Sequence, residues 1–258
     1  RPGWHIECSA MSMKYLGETI DIHCGGKDLL FPHHENEIAQ SEGATGKPFV
    51  HYWMHNGHIN VDNQKMSKSL GNFFTVRDIS KEFDLEAVRM FMISAHYRSP
   101  VNFSKEMIEQ SKAALDRLYT ARDNWTFLLD HAPERELNEA EQALIAKGRE
   151  AVAKFDEAMD DDLNTADAIG AIFELVKEGN LAITADTARA AIKSTLSTLK
   201  EMTDVLGILS RENDAIPDDI KALVEQRKQA RAEKNWAESD RLRDEITARG
   251  FVLEDTPK

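Results

Sequence analysis

The sequence predicts a mixed α/β segment followed by a mainly helical remainder. Two short apolar stretches, residues 20–24 and 49–54, flank a helix-compatible run, which is the strand–helix–strand spacing of a parallel sheet. From Ser104 to Leu206 apolar residues recur at helical spacing. The 258 residues are 41% hydrophobic and 30% charged, which excludes a disordered or collagen-like polymer and suits one or two domains.

Ile20-Asp21-Ile22-His23-Cys24 alternates at period two and meets Gly25-Gly26, so a strand ends in a turn there. Pro32 can occupy the first position of a helix that continues through residues 33–41 and ends over residues 43–46. Phe49-Val50-His51-Tyr52-Trp53-Met54 reads as the second strand. Asn56-Gly57 and Asp62-Asn63 are turn signals around a short strand over residues 57–61. Met107, Ser111, Ala114, Leu115, Leu118, Trp125 and Leu128 mark the first long helix. Asn138 with Glu141 has capping-box spacing, and Leu144, Ile145, Val152 and Phe155 share a face behind it. Ile169, Ile172, Phe173 and Val176 give a third helix stopped at Gly179, and Ile192, Leu196, Leu199 and Leu206 a fourth, so a bundle is expected. Pro217 opens a last segment with Ile220, Leu223 and Val224 on one face, a break at Lys234-Asn235, a helix over residues 236–249 stopped by Gly250, and a short strand over residues 251–253.

The net charge of −13 is unevenly spread. Residues 1–110 hold 11 basic and 14 acidic side chains, residues 111–215 hold 12 and 21, and residues 216–258 hold 9 and 10. The acidity therefore sits in the middle, which leaves room for basic strips at either end. No stretch approaches the roughly 18 apolar residues of a membrane span, so no membrane partner is expected. The opening residues lack the apolar run of a leader. Cys8 and Cys24 cannot build a disulfide framework, and a reducing, cytoplasmic setting is expected. The chain has no initiator Met and opens on Arg1-Pro2-Gly3-Trp4, as a portion of a longer protein would.

Eight of the nine histidines precede residue 100, which points the chemistry to the first third. His33 and Glu37 are four apart and share a helix face, with Cys8 upstream. Thiolate, imidazole and carboxylate are all zinc ligands, and on spacing alone Cys24 is a candidate fourth. The competing reading makes residues 33–35 a solvated helix start and Cys8 a small buried hydrophobe.

Lys65-Met66-Ser67-Lys68-Ser69, followed by Leu70-Gly71-Asn72, offers two cations and several hydroxyls beside a glycine turn. Such a loop is ordinarily just solvated, but this string resembles the signature loop of class I aminoacyl-tRNA synthetases. Three further stretches closely resemble the cysteinyl-tRNA synthetase family: residues 3–11 (Gly-Trp-His-Ile-Glu-Cys-Ser-Ala-Met), residues 22–29 (Ile-His-Cys-Gly-Gly-Lys-Asp-Leu) and residues 31–40 (Phe-Pro-His-His-Glu-Asn-Glu-Ile-Ala-Gln). The similarity runs on to Leu253-Glu254-Asp255.

The resemblance implies an ATP-dependent cysteine–tRNA ligase with one zinc per subunit. Cys8, His33 and Glu37 match three zinc ligands. The fourth, a cysteine, belongs to the N-terminal half of the catalytic domain, which makes Cys24 an unlikely member. Trp4, His23 and Asp28 match the cysteine pocket. Lys65, Met66, Ser67, Lys68 and Ser69 match the ATP loop, with Lys68 the catalytic residue and Lys65 assisting. A Lys/Arg strip, Arg227, Lys228, Arg231 and Lys234, precedes Trp236 and suits phosphate contact with base stacking. By resemblance, Arg231, Trp236, Asp240, Arg243 and Asp255 read the anticodon. The implied architecture is the C-terminal half of a Rossmann-type catalytic domain with zinc ligands and signature loop (residues 1–72), a connecting stem-contact-type region (73–103), a helical bundle (104–212) and a small anticodon-binding domain (213–258). The expected partners are tRNA(Cys), L-cysteine and ATP with Mg2+, the expected state is a monomer, and the chain alone is expected to be inactive. A non-catalytic tRNA-binding fragment and a cysteine:amino-sugar ligase are the alternatives.

Overall fold

The computed structural model describes residues 3–67, 69, 71–72, 74–211, 217–251 and 253. The chain divides into two compact units, Arg1–Leu209 and Ser210–Lys258. The polar stretch over residues 210–214 falls at this division, but Glu212, Asn213 and Asp214 lie outside the described residues.

The first unit opens with helix α1 (His5–Leu16), which stops at Gly17, whose φ of 102° suits only a residue without Cβ. Strand β1 (Ile20–Gly26) pairs in parallel with β2 (Val50–Asn56), with Ile20 opposite Val50 and Gly26 opposite Asn56. Helix α2 (Glu35–Thr45) makes the crossover and ends at left-handed Gly46. The helix expected to open at Pro32 thus opens three residues later, because Phe31, restrained by the following proline, is extended at φ −136° and ψ 134°. An irregular helical turn, Leu30–His34, carries the two histidines into α2. Gly43, expected to help end the helix, is inside it.

Beyond β2 the chain turns at Gly57, where a Cβ would stand 2.3 Å from the Ser99 carbonyl oxygen, so only glycine fits. Strand β3 (Ile59–Val61) starts two residues later than expected. It pairs antiparallel with β4 (Gln64–Lys65) and parallel with β5 (Val101–Phe103). Three residues after a proline are too short to show a period, which is why β5 could not be read from the sequence. Between β4 and β5 lie α3 (Val76–Ile79), with a Thr75/Asp78 capping box, and α4 (Leu85–Ile93), capped by Asp84. Ala87, Phe91 and Ile108 form a small core that fastens α4 to the next helix.

That helix is α5 (Lys105–His131), the first of a four-helix set with α6 (Glu139–Asp160), α7 (Thr165–Ala182) and α8 (Arg189–Leu206). Their apolar stripes meet in one core that includes Leu115, Trp125, Leu144, Phe155, Ile172, Leu175, Ile192 and Leu199. Met107 lies exposed in the first turn of α5, outside that core. Gly179, expected as a stop, is inside α7 instead: a Cβ there would meet the Trp125 ring at 2.3 Å, so the glycine admits the indole, whose N–H reaches Asn180 Oδ1 at 3.0 Å. Among the described residues no helix is long and apolar enough to cross a membrane.

One polar knot ties the bundle. Glu141, at the start of α6, completes the Asn138 capping box, accepts a fork from Arg135 at 2.6 and 2.9 Å, and accepts the Ala188 amide at 2.8 Å. The Arg135 guanidinium first, then the Ala188 and Asn138 amides, holds its carboxyl at about 2, against an ordinary 4.5. A carboxyl depressed on folding contributes stability that is complete above pH 4.5 and is lost as pH falls towards 2. Glu141→Gln keeps the shape and gives up the charge. It is expected to cost about 1.5–3 kcal/mol near neutral pH, the worth of a hydrogen bond to a charged group. Urea melts of both proteins should show the gap narrowing as pH drops below 4.5; a gap that stays constant down to acid would assign the effect to packing.

The second unit contains α9 (Asp218–Ala232) and α10 (Trp236–Ala248). The break between them falls where expected: Lys234 is left-handed at φ 60°, and the Asn235 side chain caps α10 by accepting the Glu238 amide. Ile220, Ala230, Leu242 and Ile246 are buried. Arg227, taken from the sequence as part of a basic strip for phosphate contact, is buried as well, because it sits three residues before Ala230 on the inner face of α9. Phe251 and Leu253 are not in a strand, and Val252 lies outside the described residues.

Candidate metal centre

Helix α1 presents Cys8, the irregular turn presents His33, and the first turn of α2 presents Glu37. One ligand atom from each lies within 4.8 Å of the others. Glu37 has no solvent exposure. Its Oε1 stands 2.8 Å from His33 Nε2, yet neither Oε1 nor the buried Nδ1 of His33 has a hydrogen-bond partner. Buried polar atoms left without partners are costly, and an unpaired carboxylate oxygen beside a thiol and an imidazole suits a shared ion. Burial, and then the Glu37 carboxylate, push the Cys8 thiol above its ordinary 9.0. A cation between the two would reverse that balance and favour the thiolate. The donor set of thiolate, imidazole and carboxylate fits zinc.

Cys24 is not part of this group and is exposed. The strand pleat explains this: neighbouring residues of β1 point to opposite faces, and His23 faces α2, so Cys24 cannot. His23 Nε2 lies 2.5 Å from Glu37 Oε2, on the side of the carboxylate away from His33. Its ring stacks on Trp53 with centroids 4.7 Å apart and leans on His34 at 4.8 Å. His34 is only 2% exposed and its Nδ1 meets His55 Nε2 at 2.8 Å. Burial, and then His23, hold the His34 imidazole down to about 4, so it is neutral in ordinary conditions. His23, His34 and Glu37 also meet metal-ligand distances, but this trio is already engaged in hydrogen bonds of its own.

His34, Trp53 and His55 were not singled out by the sequence reading. The crowding of histidines was the available signal. What it lacked was the pairing: His23 sits opposite Trp53 and Gly25 opposite His55, which puts these side chains on one face of the sheet. Trp4 is 72% exposed and meets His33 edge-on at 6.1 Å. Asp28 stands apart from the cluster, with Oδ1 4.0 Å from His58 Nε2.

In the signature loop, Lys65 closes β4, and Met66 and Ser67 are half-buried rather than exposed, while Ser69 is exposed. The Ser67 amide donates to Asn72 Oδ1 at 2.8 Å, and the Ser67 and Ser69 hydroxyls are 3.1 Å apart. Lys68 lies outside the described residues. In the second unit Arg231, Trp236, Asp240 and Arg243 are all exposed. Trp236, Asp240 and Arg243 follow at i, i+4 and i+7 and therefore share one stripe of α10. Asp255 lies outside the described residues.

Three family models match the chain in succession. Residues 1–113 match the tRNA synthetases class I (C) catalytic domain, residues 154–210 the DALR domain, and residues 213–258 the cysteinyl-tRNA ligase anticodon binding domain. A cysteine–tRNA ligase of Lachnospira eligens is 55% identical over 257 residues, 99% of this chain and 54% of that protein. One of Caldicellulosiruptor saccharolyticus is 54% identical over 265 aligned positions, covering 100% of this chain and 56% of that protein.

The chain belongs to the cysteinyl-tRNA synthetase family.

It corresponds to the C-terminal portion and spans about half the length of the curated relatives it matches. A leucyl-tRNA synthetase of Agrobacterium radiobacter, solved as a ternary complex with tRNA and LeuAMS, superimposes with a TM-score of 0.59 at 18% identity, over 74% of this chain and 28% of that one. That likeness shows a class I synthetase fold.

Proposed function

We propose that the chain supplies the zinc-bearing half of the active site and the anticodon reader of a cysteine–tRNA ligase. Its substrates would be L-cysteine, ATP with Mg2+ and tRNA(Cys), and it would work as a cytoplasmic monomer. The observation that carries this is the convergence of Cys8, His33 and Glu37 in a chain of this family. Zinc held there, with a fourth ligand from outside this chain, would supply a soft acceptor for a substrate thiolate, which a serine hydroxyl satisfies poorly. Trp4 stands over His33 and can close one wall of a small amino-acid pocket.

In the first step the cysteine carboxylate attacks the α-phosphate of ATP, and pyrophosphate leaves with the bonding electrons. Lys68, assisted by Lys65, balances the charge growing on that leaving group, while Met66, Ser67 and Ser69 complete the loop over the phosphates. The match of residues 213–258 to an anticodon-binding domain disfavours a cysteine:amino-sugar ligase, which has no tRNA to read.

The test is to join this chain to the N-terminal remainder of the Lachnospira eligens relative and measure ATP–pyrophosphate exchange. Exchange with cysteine and none with serine is expected. A folded, zinc-loaded chimera that catalyses neither exchange nor charging would leave only a tRNA-binding fragment.

Trp236 gives a separate prediction. Its ring is 59% exposed at the start of α10, in line with Asp240 and Arg243, an unusual cost for a packing tryptophan. In the chimera, Trp236→Ala is expected to weaken tRNA charging by about 1–3 kcal/mol, the worth of one stacked base. Exchange should be untouched, because the residues that support it lie in the other unit. Equal losses in both half-reactions would make Trp236 a folding residue.

A further inference from the structure

We infer that His23 is a positioning residue for Glu37, holding the carboxylate so that one oxygen is turned to a metal shared with Cys8 and His33. The inference rests on the metal reading of that cluster. It assigns His23 a different task from lining the amino-acid pocket, which is what the family resemblance implies.

The two oxygens of Glu37 are divided between two imidazoles. Oε2 meets His23 Nε2 at 2.5 Å, and Oε1 faces His33 Nε2 at 2.8 Å without a hydrogen bond. An ionised carboxylate can only accept, so the proton between Oε2 and His23 belongs to the imidazole. With Oε2 tied, Oε1 is the oxygen left for an ion.

The His23 ring has little freedom to leave this arrangement. Trp53 stacks on it at 4.7 Å with planes 26° apart, His34 leans against it at 4.8 Å, and Phe49 closes edge-on at 6.1 Å. His34 is in turn fixed by His55, and by Gly25, where a Cβ would come within 2.6 Å of the His34 ring. The frame is set by the register of β1 on β2, so backbone pairing is transmitted through two rings to one metal ligand. A ligand held in place before the ion arrives loses less freedom on binding, and outer partners of this kind are worth about 10–100-fold in metal affinity.

The experiment uses the chimera, which carries the fourth ligand, and measures zinc affinity by competition with a chromophoric chelator, and Co2+ absorption as a second readout. The amide nitrogen of glutamine can reach the place of Nε2, and that of asparagine falls short. His23→Ala and His23→Asn are expected to bind zinc about 10–100-fold more weakly than wild type, with altered Co2+ bands. His23→Gln should stay close to wild type in both. Melting of the metal-free proteins checks folding, and if His23→Ala does not fold, the Asn and Gln pair carries the comparison. Unchanged zinc affinity in His23→Asn, with a raised KM for cysteine in the chimera, would overturn the inference and return His23 to the pocket wall. A wild-type chimera, which carries the fourth ligand as well, that binds neither zinc nor cobalt would overturn the metal reading itself, an outcome visible before any variant is made.

Discussion

Lys68→Ala, in the chain joined to the N-terminal remainder of the Lachnospira eligens relative, is expected to slow cysteine-dependent ATP–pyrophosphate exchange by about 10²–10³-fold, the usual cost of removing one group that stabilises transition-state charge. The motivation is the string Lys65-Met66-Ser67-Lys68-Ser69 in a chain of this family. The pyrophosphate leaving group gains charge only as the bond to the α-phosphorus breaks. A cation aimed at it therefore lowers the barrier more than it tightens ground-state binding. The KM for cysteine should stay near wild type, because the proposed thiol site at Cys8, His33 and Glu37 is on other elements. Zinc content should also be unchanged. A Lys68→Ala enzyme with a normal exchange rate would remove this lysine from the mechanism. One with normal kcat but a raised KM for ATP would reduce it to a binding residue.

Glu37→Gln is expected to weaken zinc binding by more than the roughly 10–100-fold typical of outer partners, because on the proposed reading it removes a direct ligand. It should do so without destabilising the metal-free chain. Glu37 is fully buried, and its Oε1 has no hydrogen-bond partner. A buried charge satisfied on one side only is a liability without its ion, so the neutral isostere should melt at the same temperature or higher. With zinc added, the order should invert: wild type gains stability by mass action and Glu37→Gln does not. Melting curves with and without zinc read both signs. A variant that melts lower in the absence of metal and still binds zinc would make Glu37 an ordinary structural carboxylate, bonded to His23 alone.

The elements with the longest periods were legible in the sequence because their stabilising forces are local. The bundle helices follow from apolar spacing, and the Asn138/Glu141 cap from two residues three apart. The alternation at Ile20 and the Phe49 run gave two strands, and the intervening helix made them parallel. Errors collected where a distant contact outweighs local preference. Gly179 looks like a stop and is helical because Trp125, on another helix, needs the space a side chain would fill. Arg227 looks like surface charge and is buried, on the face of α9 that also buries Ala230. The three-residue β5 exists only because β3 is beside it.

The candidate site divides along the same line. The sequence by itself determined the family, through the signature string and the surrounding stretches, and with it the candidate ligands Cys8, His33 and Glu37. Chemistry of that kind is written in residue identity and short spacing. The resemblance already set Cys24 aside, and the tertiary structure supplied the physical reason, since a strand turns adjacent residues to opposite faces. The same pleat put His23 beneath Glu37 with Trp53, His34 and His55 around it. Those rings lie on two strands and a turn far apart in the chain, and no local pattern records a register that exists only once β1 has paired with β2.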